Sequence, residues 1–363
     1  MVYAQITGWG KYTPPLLMTN DDMAKVIDTS DEWIRSRSGI RQRHYSHVST
    51  GEMAWLAAER ALACAGLAAA DVDLVVLGST TVEEICPNVA SLVKNKIGAC
   101  KAAAFDLNSA CTSWLYGLSV ATDMIKAGSI KKALVIGSER LSLAMDWNKR
   151  ESCFLFGDGA GAVIIEASAQ ETGLLNYNMS CVPYSRDCLR IPKWGVTPAH
   201  YTGDNFLSLD FDGQEIFKSA VKGMNEAIAT VIEQQNIDAS EIDLFVPHQA
   251  NERIIQALAK RLDFPIEKTV VCIGEYANTS AAAIPLALCD ALEAGRVKPG
   301  MTLLTASFGA GLTYGAGIIR WGDRVTNIAV SEAQIPPYGG TVFDLMADSF
   351  THYGLDAGHL LSR

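Results

Sequence analysis

Basic residues, long apolar runs and metal-binding spacings are all scarce in this chain, and each scarcity removes a class of function. Lys and Arg number 30 against 40 Asp and Glu, a formal charge of −10. That balance disfavours a general nucleic-acid binder, although a local basic patch stays open. No run of about 18 apolar residues is free of charge, so no membrane insertion is expected. The start, "MVYAQITGWGKY", has neither the basic flank nor the apolar core of a secretory signal, and a soluble, cytoplasmic protein is expected. The nine cysteines form no C-x-x-C pair and the six histidines no H-E-x-x-H. This argues for reduced thiols and against a disulfide framework, a structural zinc site or any other metal. Gly-rich "FGAGLTYGAG" (308–317) lacks both G-x-G-x-x-G with a following acid and G-K-[ST], which weakens dinucleotide and P-loop readings. "FGDGAGA" (156–162) lacks the alternating acids of a calcium loop and reads as a tight structural turn.

What the chain does have is enough apolar sequence for a large core: 363 residues, 49% hydrophobic and 19% charged. Two domains or one double-sized α/β unit follow from that length. "VDLVVLGST" (72–80), "KALVIGSE" (132–139), "IDLFVPHQ" (242–249) and "MTLLTASFG" (301–309) read as buried strands followed by helices. They also pair. "DVDLVVLGS" matches "EIDLFVPHQ" at a spacing of 170, the helix ends "IKAGSIKKALVIGS" and "LEAGRVKPGMTLLTAS" match at about 167, and "FGDGAGAVIIEA" echoes "FGAGLTYGAGIIRW". A duplicated α/β unit is expected, with halves 1–170 and 171–321 and an extension at 322–363. Applied to Cys111, the spacing of 167 lands on Asn278, so both residues are expected to open equivalent helices near a pseudo-twofold axis.

Cys111 in "FDLNSACTSWLYG" stands where a polar turn gives way to a helical pattern. A helix N-terminus favours thiolate over thiol, which makes Cys111 a candidate nucleophile, though free cysteines are more often inert and buried. His248 ends a predicted buried strand, where side chains line the crevice of an α/β sheet; a satisfied core histidine is the alternative. Cys, His and Asn at related strand and helix ends suit acyl transfer. The loop 308–317 then offers a backbone N–H to help the Cys111 N–H form an oxyanion hole, or is simply a hairpin turn.

With these residues in hand, the chain resembles a β-ketoacyl-acyl-carrier-protein synthase III. The resemblance covers about residues 3–321 and is carried by "GKYTPP", "TNDDMAKVIDTSDEWIRSRSGIRQRH", "AFDLNSAC", "FGDGAGA", "FDGQEIFKSAVKGM", "VPHQANERII", "YANTSAAAIPLAL" and "SFGAGLTYGAGIIRW". It implies a thiolase-like α/β fold, with duplicated βαβαβαββ halves in a five-layer αβαβα arrangement. It also implies a two-stage decarboxylative Claisen condensation that initiates fatty acid or related biosynthesis. Cys111 would take an acyl group from acyl-CoA, and His248 and Asn278 would then stabilise the enolate formed from malonyl-acyl carrier protein. The oxyanion hole would use the backbone of Cys111 and Ala310. No metal or redox cofactor is implied, since the CoA thioester is a substrate.

Further roles follow from the same resemblance. Trp33, Arg37 and Arg150 would hold the adenine end of CoA, Cys86 and Phe308 would line the acyl pocket, and a homodimer is implied. The acidic carrier protein would dock on Lys218, Lys222, Arg253, Lys260 and Arg261; Arg253 and Lys260, seven apart, share a helix face. For the CoA and docking residues an ordinary solvated charged face is the alternative.

The sequence departs from the family in three places. Ala310 stands where glycine is common, residues 322–363 run past the family's usual end, and "TVFDLMADSF" within them can form a short amphipathic helix. Cys86 in "EEICPNVAS" occupies the place of a bulky aromatic that, in acetyl-using members, reaches across the dimer to floor the neighbour's acyl pocket. A deeper pocket and a primer longer than acetyl, of medium-chain length, are expected. Alternatives within the fold are an acyltransferase or a condensing enzyme of secondary metabolism, polyketide or quinolone type. A non-catalytic acyl-binding subunit is the alternative from another class. A papain-like hydrolase is excluded because the local signature of its cysteine is missing.

Overall fold

The computed structural model describes residues 1–192 and 208–362. Nine strands form the main sheet: β1 (Tyr3–Tyr12), β2 (Leu74–Gly78), β3 (Ala103–Leu107), β4 (Lys132–Glu139), β5 (Gly159–Ser168), β6 (Gly173–Cys181), β7 (Leu244–Pro247), β8 (Thr302–Gly309) and β9 (Thr313–Arg320). Their order is β7-β8-β9-β6-β1-β5-β4-β2-β3. Among the described residues, the strand pairing that joins the two sides is that of Ala4 in β1 with Gly173 in β6. Each side repeats one pattern: β2 and β4 are parallel with β5 antiparallel to β4, and β7 and β8 are parallel with β9 antiparallel to β8.

The helices that matter are α1 (Asp31–Ser38), α2 (Thr50–Ala65), α3 (Ser113–Lys126), α4 (Gly213–Gln235), α5 (Glu252–Arg261), α6 (Ala283–Glu293) and α7 (Val342–His352). α3 and α6 lie between the two sides of the sheet and touch strands of both. The sequence of α6, "AIPLALCDALE", is apolar nearly all round, as a helix buried on every face must be. Trp114, Leu118, Val135, Val246, Leu303 and Ile319 pack into this middle layer. α2 covers the outer face of one side, and α4 with α5 covers the other. The layers therefore run helix, sheet, helix, sheet, helix.

The repeat is tighter than the sequence matches suggest, and it corrects one of them. The 3-10 turn Ala69–Asp71 recurs at Ala239–Glu241, Leu74 at Leu244, the turn Ala110–Thr112 at Ser280–Ala282, the first residue of α3 at that of α6, and Lys132–Glu139 at Thr302–Gly309. All are 170 apart. The helix ends match at 167 because α3 has 14 residues and α6 has 11, almost one turn fewer. Cys111 thus corresponds to Ala281, and Asn278 to Asn108. The paired asparagines do the same local job: Asn108 Oδ1 accepts from the Ala110 N–H at 3.2 Å, and Asn278 Oδ1 from the Ser280 N–H at 2.8 Å. Ala110 and Ser280 share left-handed φ values of 55° and 50°.

Residues beyond β9 strap the body. The Ile328 and Ala329 N–H groups donate to the carbonyls of Cys64 and Ala63 at the end of α2, and His47 Nε2 contacts the Pro336 carbonyl at 2.9 Å. α7 is the amphipathic helix expected in "TVFDLMADSF". Its buried Val342, Met346 and Phe350 face the chain's own body, and the Phe350 ring meets Trp147 edge-on at 4.9 Å.

Candidate active site

Cys111, His248 and Asn278, far apart in sequence, line one cavity of about 950 Å³. Each stands at an element's end. Cys111 sits in the turn that leads into α3, and its carbonyl accepts from Ser307 Oγ at 2.9 Å. His248 follows β7 and is fixed by its N–H donating to the Ala306 carbonyl at 2.8 Å. Asn278 is held on both sides, its N–H donating to Leu155 and its carbonyl accepting from Gly157, at 3.0 and 3.1 Å.

Burial sets the protonation states. It pushes the Cys111 thiol up to about 12; a contact with the Ser280 hydroxyl opposes this, and the negative charge of Glu139 adds to it. Resting Cys111 is therefore a thiol, because desolvation outweighs the helix end that favours thiolate. Burial also holds His248 down to about 3. Its ring is neutral, and neither nitrogen has a partner among the described residues. Asn278 Oδ1 is committed to Ser280, which leaves Nδ2 as the end free to donate. The cavity thus offers one nucleophile and two neutral donors.

The hairpin joining β8 to β9 abuts the cysteine. A Cβ at Gly309 would lie 2.8 Å from the Cys111 nitrogen, so only glycine lets the loop come this close. Ala310 lines the cavity beside it. Asp158 in "FGDGAGA" is a structural anchor: its buried carboxylate accepts from the Ser46 N–H, the Ser142 N–H and Ser142 Oγ at 2.6 to 2.8 Å.

Trp33, Arg37 and Arg150 come together at the cavity mouth, the two guanidiniums 4.8 and 4.5 Å from the Trp33 ring. Phe308 lines the cavity; Cys86 is exposed and is absent from this chain's own lining. Lys218, Lys222, Arg253, Lys260 and Arg261 are all exposed on the neighbouring helices α4 and α5. Arg253 also donates to the Ser36 carbonyl at 2.6 Å and lines the cavity. Sequence reasoning missed Glu139 and Ser280. An acid directly after the apolar run "ALVIGS" was the available signal for the first.

The five layers, with two buried helices at the centre and a cysteine at the head of one of them, define a thiolase-like fold. Family models described as 3-oxoacyl-[acyl-carrier-protein] synthase III match residues 105–183, and its C-terminal part residues 232–321. A β-ketoacyl-[acyl-carrier-protein] synthase III 2 of Vibrio cholerae is 48% identical over 351 residues, 96% of this chain and 97% of that one. A β-ketoacyl-[acyl-carrier-protein] synthase III of Xanthomonas campestris is 42% identical, covering 88% of this chain and 99% of its own. The crystal structure of the Aquifex aeolicus 3-oxoacyl-[acyl-carrier-protein] synthase III superposes with a TM-score of 0.82 at 40% identity, covering 88% and 100%. The chain belongs to the β-ketoacyl-acyl-carrier-protein synthase III family. A match as long as the Vibrio one must run into residues 322–363, so this extension is shared with that relative. Among the described residues, no helix is long and apolar enough to cross a membrane.

Proposed function

We propose that this chain joins an acyl-CoA primer to malonyl-acyl carrier protein, releasing CO₂ and giving a β-ketoacyl-acyl carrier protein. The observation that carries this reading is the meeting of Cys111, neutral His248 and Asn278 in one buried cavity. Cys111 attacks the acyl-CoA carbonyl, the Cys111 and Ala310 N–H groups hold the oxyanion, and CoA departs. Malonyl-acyl carrier protein then enters. As its carboxylate leaves as CO₂, the enolate oxygen takes hydrogen bonds from His248 and from Asn278 Nδ2. Two fixed donors in a dry site are worth most where charge develops. The carbanion attacks the acyl-Cys111 carbonyl and Cys111 is released.

In this reading Trp33, Arg37 and Arg150 hold the nucleotide end of CoA, a stacked purine replacing one guanidinium over Trp33. Lys218, Lys222, Arg253, Lys260 and Arg261 receive the acidic carrier protein. Residues 1–170 and 171–321 act as two copies of one unit, each supplying one side of the site. The enzyme works in the cytoplasm as a homodimer, in which Cys86 reaches the partner's acyl pocket and leaves room for a medium-chain primer. The apolar lining, Leu189, Ile191, Leu209, Phe211 and Phe308 among it, suits such a chain. A likeness to the priming β-ketosynthase of the R1128 polyketide pathway, 32% identical with a TM-score of 0.83, keeps secondary metabolism as the second reading.

The test is CO₂ release from malonyl-acyl carrier protein, primed by acyl-CoAs from acetyl to dodecanoyl. A medium-chain optimum that shifts toward acetyl in Cys86→Phe supports the reading. A strong preference of the wild type for acetyl-CoA contradicts the chain length, and no primer-dependent CO₂ release contradicts the function.

A further inference from the structure

The steps above use neither Glu139 nor Ser280, yet the fold buries both beneath the nucleophile. Glu139, the last residue of β4, is fully buried. Its carboxylate accepts from Ser79 Oγ at 3.3 Å, the Thr80 N–H at 3.1 Å, Thr80 Oγ1 at 3.0 Å, Thr81 Oγ1 at 2.6 Å and Ser280 Oγ at 3.1 Å. The first four partners come from the end of β2, and Ser280 comes from the other half of the repeat. Gly137 makes that meeting possible: a Cβ there would fall 2.1 Å from the Ala281 carbonyl oxygen, so any other residue would push the Ser280 turn away from β4. The Ser280 hydroxyl also acts on the Cys111 thiol, and the turns that carry the two residues pack together. The Cys111 thiol, Ser280 Oγ and the Glu139 carboxylate thus lie in series on buried residues, the last two hydrogen-bonded at 3.1 Å.

Charge counting shows what this chain can do. Among the described residues, Glu139 is the one charged group acting on the Cys111 thiol, and it disfavours the thiolate. Arg140 and Asp158, nearby on the chain and across from β4, act on each other instead. Ionising Cys111 with Glu139 charged would place two negative charges in a dry interior, where like charges are costly. Moving the thiol proton onto Glu139 leaves the count at one. His248 is already held neutral against protonation by burial, and the charged side chains that line the cavity, Arg37, Glu151, Arg186, Arg190 and Arg253, are not among the groups acting on the thiol.

We propose that Glu139 stores the Cys111 proton, exchanging it through the Ser280 hydroxyl. During acylation the S–H proton passes to Ser280 Oγ as the Ser280 hydroxyl proton passes to Glu139. The thiolate forms its bond to the acyl carbon, the carbon–sulfur bond to CoA breaks, and the CoA thiolate takes a proton from water. Glu139 is then neutral while the malonyl group loses CO₂, so no fixed negative charge opposes the enolate. When the new carbon–carbon bond expels Cys111 as thiolate, the stored proton returns through Ser280. One water proton is consumed in the cycle, as replacement of a carboxylate by CO₂ and a CoA thiol requires.

The proposal rests on Cys111 being the nucleophile of the function proposed above, and its test needs no acyl substrate, so the two fail separately. Alkylation of Cys111 by iodoacetamide, read by peptide mass mapping from pH 6 to 10, is compared among wild type, Glu139→Gln and Ser280→Ala. Storage predicts that both variants react about tenfold more slowly or worse at pH 7, with rates that climb toward high pH as an isolated buried thiol would. If Glu139 acts only as a repelling charge, its removal favours the thiolate and Glu139→Gln reacts faster; that result overturns the proposal. Ser280→Ala keeps the other donors to Glu139, so it carries the test should Glu139→Gln fail to fold, and an unchanged rate in it overturns the proposal. In a Cys111→Ala background, CO₂ release from malonyl-acyl carrier protein should fall no more than about twofold on adding Glu139→Gln; a larger loss would mean that Glu139 supports the whole site rather than the thiol.

Discussion

Replacing Asn278 by aspartate should damage the enzyme more than truncating it to alanine, although aspartate is its isostere. Asn278 Oδ1 accepts from the Ser280 N–H at 2.8 Å, and Nδ2 is the free donor. Alanine removes that donor. Loss of one such donor costs about 2.7–4 kcal/mol, roughly 10²–10³ in rate. Aspartate can keep the bond to Ser280 with one carboxylate oxygen, but it then points the other at the forming enolate. Two unit charges about 4 Å apart repel by about 4 kcal/mol at an effective dielectric of 20. The expected loss for Asn278→Asp is therefore the larger, and it should shrink as pH falls, because a protonated carboxyl regains a donor. Release of labelled CO₂ from malonyl-acyl carrier protein at saturating primer, between pH 5.5 and 8, measures both variants. An Asn278→Asp enzyme as active as Asn278→Ala at pH 8, or either within about threefold of wild type, would refute the donor role.

Other outcomes follow from packing and burial. Gly137→Ala forces a Cβ to within 2.1 Å of a backbone oxygen; a loss of about 1–3 kcal/mol or more in urea unfolding is expected. Phe350→Ala opens the contact with Trp147 and should cost about 3–5 kcal/mol by the same measure, since Phe350 is only 1% exposed. His248, depressed by burial from 6.5 to about 3, contributes stability that is fully present above pH 6.5 and is lost as pH falls from there toward 3. Asp158, raised by burial from 3.8 to about 6, works the other way, its contribution being present below 3.8 and lost as pH rises through 6. The difference in unfolding free energy between wild type and His248→Gln isolates the first: it should shift against wild type by up to about 1.4 kcal/mol per unit below pH 6.5, and a constant difference would contradict the burial of a neutral ring.

Much of the site was legible because its residues sit in local contexts that chain chemistry dictates. Cys111 precedes a helix and His248 ends an apolar strand, and each signal survives in a short window, whereas Asn278 was reached only through the repeat and the family resemblance. The duplicated α/β unit was legible through the recurring strands at a spacing of 170, the five layers only through the family resemblance. The pairing of Cys111 with Asn278 was misread because helix ends were aligned, and the second central helix is nearly a turn shorter than the first. Only starts keep register when lengths differ. Glu139 and Ser280 stayed hidden because their partnership is tertiary. Nothing near either residue in sequence says that the ends of β2 and β4 and a turn 141 residues further on will close around one carboxylate. The extension was legible as a helix, but its strap-like course over α2 and onto Trp147 depends on surfaces the rest of the chain builds.

The central claim is that Cys111 carries the acyl group. Intact-protein mass spectrometry after brief incubation with acyl-CoAs from acetyl to dodecanoyl, on wild type and Cys111→Ser, tests it most directly. The account predicts a gain of one acyl mass in wild type, strongest at one medium chain length and mapping to the peptide that contains Cys111, with no thioester in the variant. No acyl gain in wild type with any of these donors, or an equal gain in Cys111→Ser, would contradict it.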